Sequence, residues 1–238
     1  MVDALGFTGA RVLVLGASSG IGRAAATRFA QAGARVAMAS RGGDKLQRAA
    51  DEVGAEALEL DVRDNAKLEA FFGEREAFDH VVISAAQTKA GSVASLALDE
   101  ARAAMDSKFW GAYQVARAAK VRPGGSLTFV SGVLARRPNP ASVLQGAING
   151  AIEALARGLA LERAPVRVNT VSPGIIETPL WDGLPAQMRQ AMFDRTSERL
   201  PTGRIGSADD VASAILFVAA NTFVTGATIA VDGGGAIA

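Results

Sequence analysis

The chain has 238 residues, 49% hydrophobic and 21% charged, with a formal net charge of +1 at pH 7. That length suits one α/β domain over residues 1–238 with a large buried core, and the composition excludes a disordered chain. With no cysteine and a single histidine, His80, disulfides, thiol catalysis and a cysteine or histidine metal centre are excluded, and no metal is expected. Lys and Arg are scattered rather than massed, which leaves no electrostatic footprint for nucleic acid. The N-terminal stretch lacks a basic start followed by an apolar run, and no segment reaches the length of a membrane span. A cytoplasmic protein without membrane contact is therefore expected.

The first predicted element is a buried strand, R-V-L-V-L from Arg11, which runs into G-A-S-S-G-I-G. Gly16, Gly20 and Gly22 fall at the spacing G-x-x-x-G-x-G, and an alanine-rich helix follows from about Ile21. A strand, a tight turn and a helix start leave backbone N–H groups free at the positive end of a helix dipole, a natural seat for an anion. Glycine is needed because a Cβ would block the turn or hold a phosphate away from the backbone. The alternative is a turn that binds nothing. Its position at the first strand-to-helix junction of an alternating chain favours the binding reading.

A second strand is expected at 35–40, then a polar helical segment, a third strand at 57–61, a helix carrying Phe71 and Phe72, and a fourth strand at 79–84. A long helical stretch from about 98 to 119 is expected to be stopped by Pro123-Gly124-Gly125, with a fifth strand at 126–131. A second long helix, about 142–162, is broken by Pro165 and leads into a sixth strand at 166–172. Strands alternating with helices of this length imply right-handed crossovers. The fold class is α/β, a Rossmann-type doubly wound parallel sheet of about seven strands with helices on both faces. From 173 to 206 the rhythm changes: Pro179, Pro185 and Pro201 punctuate a segment with Trp181, Leu184, Met188, Met192 and Phe193 at roughly helical spacing. A short amphipathic helix or helix pair is expected, either as core packing or as a flap over an apolar ligand cleft. A helix at 208–220 and a last strand at 227–232 close the chain.

Taken together, G-A-S-S-G-I-G at Gly16, D-V at Asp61, R-V-N-T-V-S-P-G at 167–174, I-E-T-P at Ile176 and V-D-G-G at 231–234 resemble the short-chain dehydrogenase/reductase family over nearly the whole length. The resemblance implies a nicotinamide dinucleotide at the C-terminal edge of the sheet, where the rule for open α/β sheets independently places a ligand. By the same resemblance Gly16, Ser18, Ser19, Gly20, Ile21 and Gly22 would cradle the pyrophosphate and adenosine ribose. Asp61 would accept from the adenine amine with Val62 beside it, and Ser84, Ala85 and Ala86 would pass under the adenine-side ribose. Pro173, Gly174, Ile175, Ile176 and Thr178 would hold the nicotinamide end. A homodimer or homotetramer built on the two long helices and the last strand is also implied. The small residues Gly146, Gly150 and Ala151 are consistent with it.

Charge indicates which dinucleotide is expected. An enzyme selecting NAD places an acid at the end of its second strand to grip the ribose 2′-hydroxyl. Here Ser40 and Arg41 stand there, and a hydroxyl with a guanidinium suits a 2′-phosphate. NADP(H) is expected ahead of NAD(H), with a solvated Arg41 as the alternative.

The family's chemistry rests on Asn, Ser, Tyr and Lys, and the resemblance places other residues at all four positions. Aligning the family's Y-x-x-x-K on the helix that ends R-G-L-A-L-E puts Gln145 at the tyrosine and Asn149 at the lysine. Gly132 falls at the serine, with its neighbour Ser131 expected to face the other side of the strand. Lys108, three residues before Gly111, falls at the asparagine. A carboxamide cannot titrate, so Gln145 can orient a group but cannot supply a proton, and losing general acid–base catalysis costs about 10²–10⁴ in rate. Lys108 and Asn149 have exchanged side-chain types between neighbouring helices, which would keep one ammonium and one amide in the cleft. Lys108 is then expected to reach toward Asn149 and the nicotinamide ribose with a lowered pKa, the alternative being a solvated or subunit-facing lysine. Tyr113 and His80 are expected to be structural. Arg136 and Arg137 are either solvated or bind an acidic substrate. The expected function is an NADP(H)-dependent oxidoreductase on a small, apolar substrate, with Lys108, Gln145 and Asn149 as its catalytic candidates. Its rivals are an NADP(H)-binding sensor or scaffold without turnover, and a non-redox enzyme using the same cleft.

Overall fold

The computed structural model describes residues 6–238; residues 1–5, where the expected domain and the N-terminal reading begin, lie outside the described residues. Strands β1 (Arg11–Leu15), β2 (Arg35–Ser40), β3 (Glu56–Glu59), β4 (Phe78–Ile83), β5 (Val121–Val130), β6 (Arg167–Pro173) and β9 (Thr228–Val231) form one seven-stranded sheet in the order β3-β2-β1-β4-β5-β6-β9. Every pairing in it is parallel. Helices α1 (Gly20–Gln31), α2 (Asp44–Val53), α3 (Asn65–Glu74), α4 (Leu98–Ala104), α5 (Gly111–Ala118), α6 (Val143–Glu162) and α8 (Ala208–Ala220) connect the strands. A two-stranded parallel pair, β7 (Ile176–Glu177) with β8 (Gly206–Ser207), flanks α7 (Ala186–Arg199).

The sheet reads as near-continuous apolar runs because both of its faces are covered. Leu13, Leu15, Val81 and Ile83 pack toward α3, α5 and α6, while Val12, Val14, Met38 and Val82 pack toward α1, α2 and α8. Order reverses between β1 and β4, since β2 and β3 lie to one side and β5, β6 and β9 to the other. This reversal is what opens a crevice beyond the C-terminal ends of β1 and β4.

The helical stretch before β5 falls where expected, and two strand boundaries differ. The long helical stretch ends at Ala118, within a residue of expectation, where the Arg163 guanidinium donates to the Ala116 and Ala119 carbonyls that close it. Strand β5 begins at Val121 and carries Pro-Gly-Gly on its exposed leading end, with a register shift against β4 between Phe78 and His80. Strand β3 is also shorter than expected, ending at Glu59.

Arg167 performs the same duty for α8 that Arg163 performs for α5. Its buried guanidinium donates to the carbonyls of Val218 (2.6 Å), Ala219 (2.6 Å) and Asn221 (2.9 Å). Helix ends leave such carbonyls without intrahelical partners. His80, as expected, sits near the N-terminal end of β4, far from the crevice. Its Nδ1 lies 2.8 Å from the Ser126 hydroxyl, and its ring lies edge-on to Phe7 and stacked on Phe29. Burial, then the charge of Arg167, pulls its pKa down to about 4 against a smaller opposing pull from Asp79.

Two outcomes follow for stability. Arg167→Met strands the α8 carbonyls and lowers unfolding stability by about 3 kcal/mol or more, read as the urea midpoint. His80 is neutral in the folded chain and protonates in the unfolded chain below its ordinary pKa. Its contribution is therefore complete above about pH 6.5 and is lost as pH falls toward 4, by roughly 3 kcal/mol in all. Thermal unfolding between pH 7 and 4.5 shows this slope, and His80→Asn flattens it.

Candidate functional site

The crevice begins at the glycine turn, and each glycine answers a different constraint. Gly16 has φ +81°, and a Cβ there would stand 2.5 Å from the Ala85 nitrogen, so the exits of β1 and β4 touch only through glycine. Gly22, buried in the first turn of α1, packs against the Gly16 carbonyl, where a Cβ would collide with backbone. Gly20 takes φ +55° and faces the Thr178 side chain, whose carbons lie 3.5 Å from where its Cβ would be. Ser19 precedes α1 in extended conformation without capping it through its side chain, and the first turn holds no acid. The N–H groups of Gly20, Ile21 and Gly22 have no intrahelical acceptor. A cleft of about 560 Å³ opens here, bringing Ser18, Ser19, Gly20 and Thr178 together beside Arg23, Lys45 and Arg48. The cleft's own charges balance, Arg23, Lys45 and Arg48 against Glu52, Glu177 and Asp209, so it is the free backbone donors and the acid-free first turn of α1 that fit a diphosphate.

Beyond the turn, the expected adenosine end is polar and already partnered. Arg41, after β2, donates from Nη1 to Gln87 Oε1 at 2.8 Å, and the Ser40 hydroxyl lies 3.4 Å from the Gly42 nitrogen. The Glu59 side chain closes against Gly42 from the neighbouring strand. Both Asp61 oxygens accept from Arg63, whose Nη2 lies 2.6 Å from Oδ2, and this pairing lowers the Asp61 pKa. Val62 fills the space that Gly111 leaves on α5. The Ser84 nitrogen donates to the Leu15 carbonyl, which places Ser84, Ala85 and Ala86 alongside the glycine turn. At the opposite end Gly174 donates to Val231, and a Cβ on it would stand 2.8 Å from Asp232. This fixes the path Pro173, Gly174, Ile175, Ile176 out of β6. The Trp181 indole donates to the Ile176 carbonyl at 2.8 Å and lies edge-on to Phe193. Phe193 is buried and Met188 exposed, so α7 is anchored on one face only.

At the centre the structure brings Lys108 and Asn149 together. Between α4 and α5 the helix widens into a π-helical segment, Met105–Trp110, and Lys108 leaves from it toward β5. Its Nζ donates to Asn149 Oδ1 at 2.7 Å and to the Ser131 carbonyl at 2.9 Å. Lys108 is half-buried, and the desolvation of its ammonium pulls its pKa down to about 8. An ammonium has three N–H donors, so one remains after these two bonds. Gly132 sits under Asn149: a Cβ on it would stand 2.8 Å from Asn149 Nδ2. Gln145 lies one turn earlier on the same face of α6, and its Oε1 is buried without a partner. Lysine near neutrality can hold and release a proton, which no other group of this cluster can do.

Other expectations resolve differently. The Ser131 hydroxyl does not turn to the far side of the sheet. It donates to buried Glu153 on α6 at 3.1 Å, because the chain leaves β5 after Val130. The Ser131 carbonyl is a site member that reading side chains misses. So is Gln87, whose backbone N–H donates to buried Ser107 of the π-helical segment at 2.7 Å while its side chain holds Arg41. Tyr113 is exposed, edge-on to Trp110 and outside the site. Arg136 turns to the Thr228 carbonyl (3.5 Å) and Glu153 (3.9 Å). Gly146 serves the chain's own packing, since a Cβ would stand 2.8 Å from the Leu134 carbonyl, whereas Gly150 faces open space. Among the described residues no group of His, Asp and Glu could hold a metal ion, and no helix is long and apolar enough to cross a membrane.

Residues 16–235 match the family model described as enoyl-(acyl carrier protein) reductase. The chain is 36% identical to galactitol 2-dehydrogenase (L-tagatose-forming) of Cereibacter sphaeroides, over 95% of this chain and 94% of that one. It is 31% identical to a 3-oxoacyl-[acyl-carrier-protein] reductase of Thermotoga maritima, over 93% and 96%. A crystal structure of a small-chain dehydrogenase in complex with NADPH superposes with a TM-score of 0.86 at 37% identity, covering 97% of this chain and all of the other. A glycine cradle at the switch point of a seven-stranded parallel sheet and full-length similarity to these enzymes lead to one assignment: the chain belongs to the short-chain dehydrogenase/reductase family.

Proposed function

We propose that this chain, acting as one dinucleotide-binding unit, is an NADP(H)-dependent oxidoreductase for a small, apolar molecule, with Lys108, Gln145 and Asn149 as its atypical polar centre. The observation that carries the reading is the Lys108–Asn149 contact of 2.7 Å. It keeps an ammonium and an amide in the cleft although neither Gln145 nor Gly132 offers a proton. When bound, a nicotinamide dinucleotide supplies the hydride or accepts it. The residues suited to hold it are the free N–H groups of α1, Ser18 and Ser19 for the diphosphate, and the 173–178 segment with Thr178 for the nicotinamide end. Asp61, Val62 and 84–86 take the adenosine. Arg41 and Ser40 suit a 2′-phosphate, and the NADPH bound by the superposed dehydrogenase supports that choice over NAD(H).

Within this centre Lys108 holds a proton at Nζ, oriented by Ser131 and Asn149. Burial brings its release into the working pH range. Gln145 orients a polar group through its unpartnered carbonyl. The outward faces of α5 and α6, with Trp110, Tyr113 and Val143 exposed, suit a homodimer or homotetramer.

NADPH and NADH binding by fluorescence, followed by oxidation assays on carbonyl compounds and activated alkenes, tests the reading. Turnover with NADPH supports it. Binding without turnover on any class, or no binding of either dinucleotide, overturns it. Arg41→Ala weakens NADPH binding about 10-fold or more and leaves NADH nearly unchanged, the loss expected for a charge-assisted phosphate contact. Lys108→Met lowers turnover about 10²-fold or more and removes an inflection near pH 8 from the rate profile. Unchanged turnover and cofactor affinity in that variant would refute the assignment of Lys108.

A further inference from the structure

Asn149 presents a donor that no described residue uses. An ammonium carries N–H donors only, so the Asn149 atom 2.7 Å from Lys108 Nζ is its carbonyl oxygen. The amide nitrogen therefore faces the other way. It lies against Gly132, in the volume that a side chain at that position would take, since a Cβ there would stand only 2.8 Å from it. Asn149 is 3% exposed, almost out of reach of bulk water. One turn earlier on the same helix face, the Gln145 Oε1 is buried without a partner, an acceptor beside the Asn149 donor.

The charge on Lys108 bears directly on that donor. A carboxamide is conjugated through O–C–N, and a cation donating to its oxygen draws density from the nitrogen. The N–H becomes a stronger donor, as in any chain of linked hydrogen bonds. A donor aimed in advance at a developing negative charge, in a water-poor place, stabilises that charge without reorganisation. We propose that the Nδ2–H of Asn149, polarised through its own carbonyl by Lys108 and given room by the absence of a side chain at Gly132, binds the substrate's oxygen. The ligand class is a small compound with a carbonyl, enol or phenol oxygen. Asn149 touches it, and Lys108 acts through Asn149 as a positioning residue. The proposal rests on the oxidoreductase reading of this cleft.

The test uses the whole protein labelled with ¹⁵N in asparagine, with 4-nitrophenol as the probe, with and without NADP(H). The Asn149 side-chain amide signal is identified by its loss in Asn149→Ala. On adding the probe this signal moves downfield, and the bound phenol ionises about one pH unit below its value in buffer, a tenfold preference for the phenolate. Lys108→Met removes most of both effects. Gly132→Ala, confirmed folded by circular dichroism, displaces the amide and weakens probe binding at least several-fold. The proposal falls if the probe does not bind at millimolar concentration, or if it binds without moving the Asn149 signal. It falls equally if Asn149→Ala keeps the full ionisation shift, since Lys108 would then act on the oxygen directly. A positive result with no NADPH oxidation would sink the oxidoreductase reading and leave this one standing.

Discussion

A primary ammonium withdrawn from water must find acceptors inside the protein or give up its proton. Lys108 does part of each: it donates to Asn149 and to the Ser131 carbonyl, and its pKa falls to about 8. The arrangement around it follows from that demand. Asn149 must present its oxygen to Lys108, so its nitrogen must face Gly132, and position 132 must then lack a side chain. The Ser131 carbonyl is free to accept because the chain has left β5 by that point. The π-helical segment over Met105–Trp110 is where the helix departs from regular geometry to carry Lys108, as such widened turns commonly do at functional positions.

The rest of the molecule holds this cluster at the crevice. Both sheet faces are covered, so the strands cannot shift without exposing apolar surface. Arg163 and Arg167 close the C-terminal ends of α5 and α8. The first of these stops the Lys108-bearing helical stretch at Ala118. Ser107, next to Lys108, meets the Gln87 nitrogen, and the Gln87 side chain meets Arg41. Two hydrogen bonds and one peptide step from Ser107 to Lys108 therefore join the expected 2′-phosphate end to Lys108.

Loss of a phenol and a hydroxyl need not leave a site without chemistry. On the proposed function, a lysine of lowered pKa and a polarised carboxamide would serve as a proton source and an oxygen-binding donor, the two roles a carbonyl reduction asks of a protein. Both are present here on neighbouring helices.

Much of this was legible in the sequence. Period and punctuation placed the alternating elements, with α6 and α8 found nearly to the residue, because branched apolar runs, caps and prolines act within a few positions. The glycine spacing at Gly16, Gly20 and Gly22 marked the tight strand-to-helix turn for the same local reason. The exchange of lysine and asparagine between positions 108 and 149 was visible only as identities. Whether the two side chains meet depends on a contact 41 residues apart in the chain, which no local pattern encodes. The turn of the Ser131 hydroxyl onto Glu153 was likewise decided in three dimensions. The chain by itself determined which groups were available and which strand ends would carry them. Only packing decided which acceptor each donor met, since hydrogen bonds between distant segments depend on where the whole sheet and its helices place them.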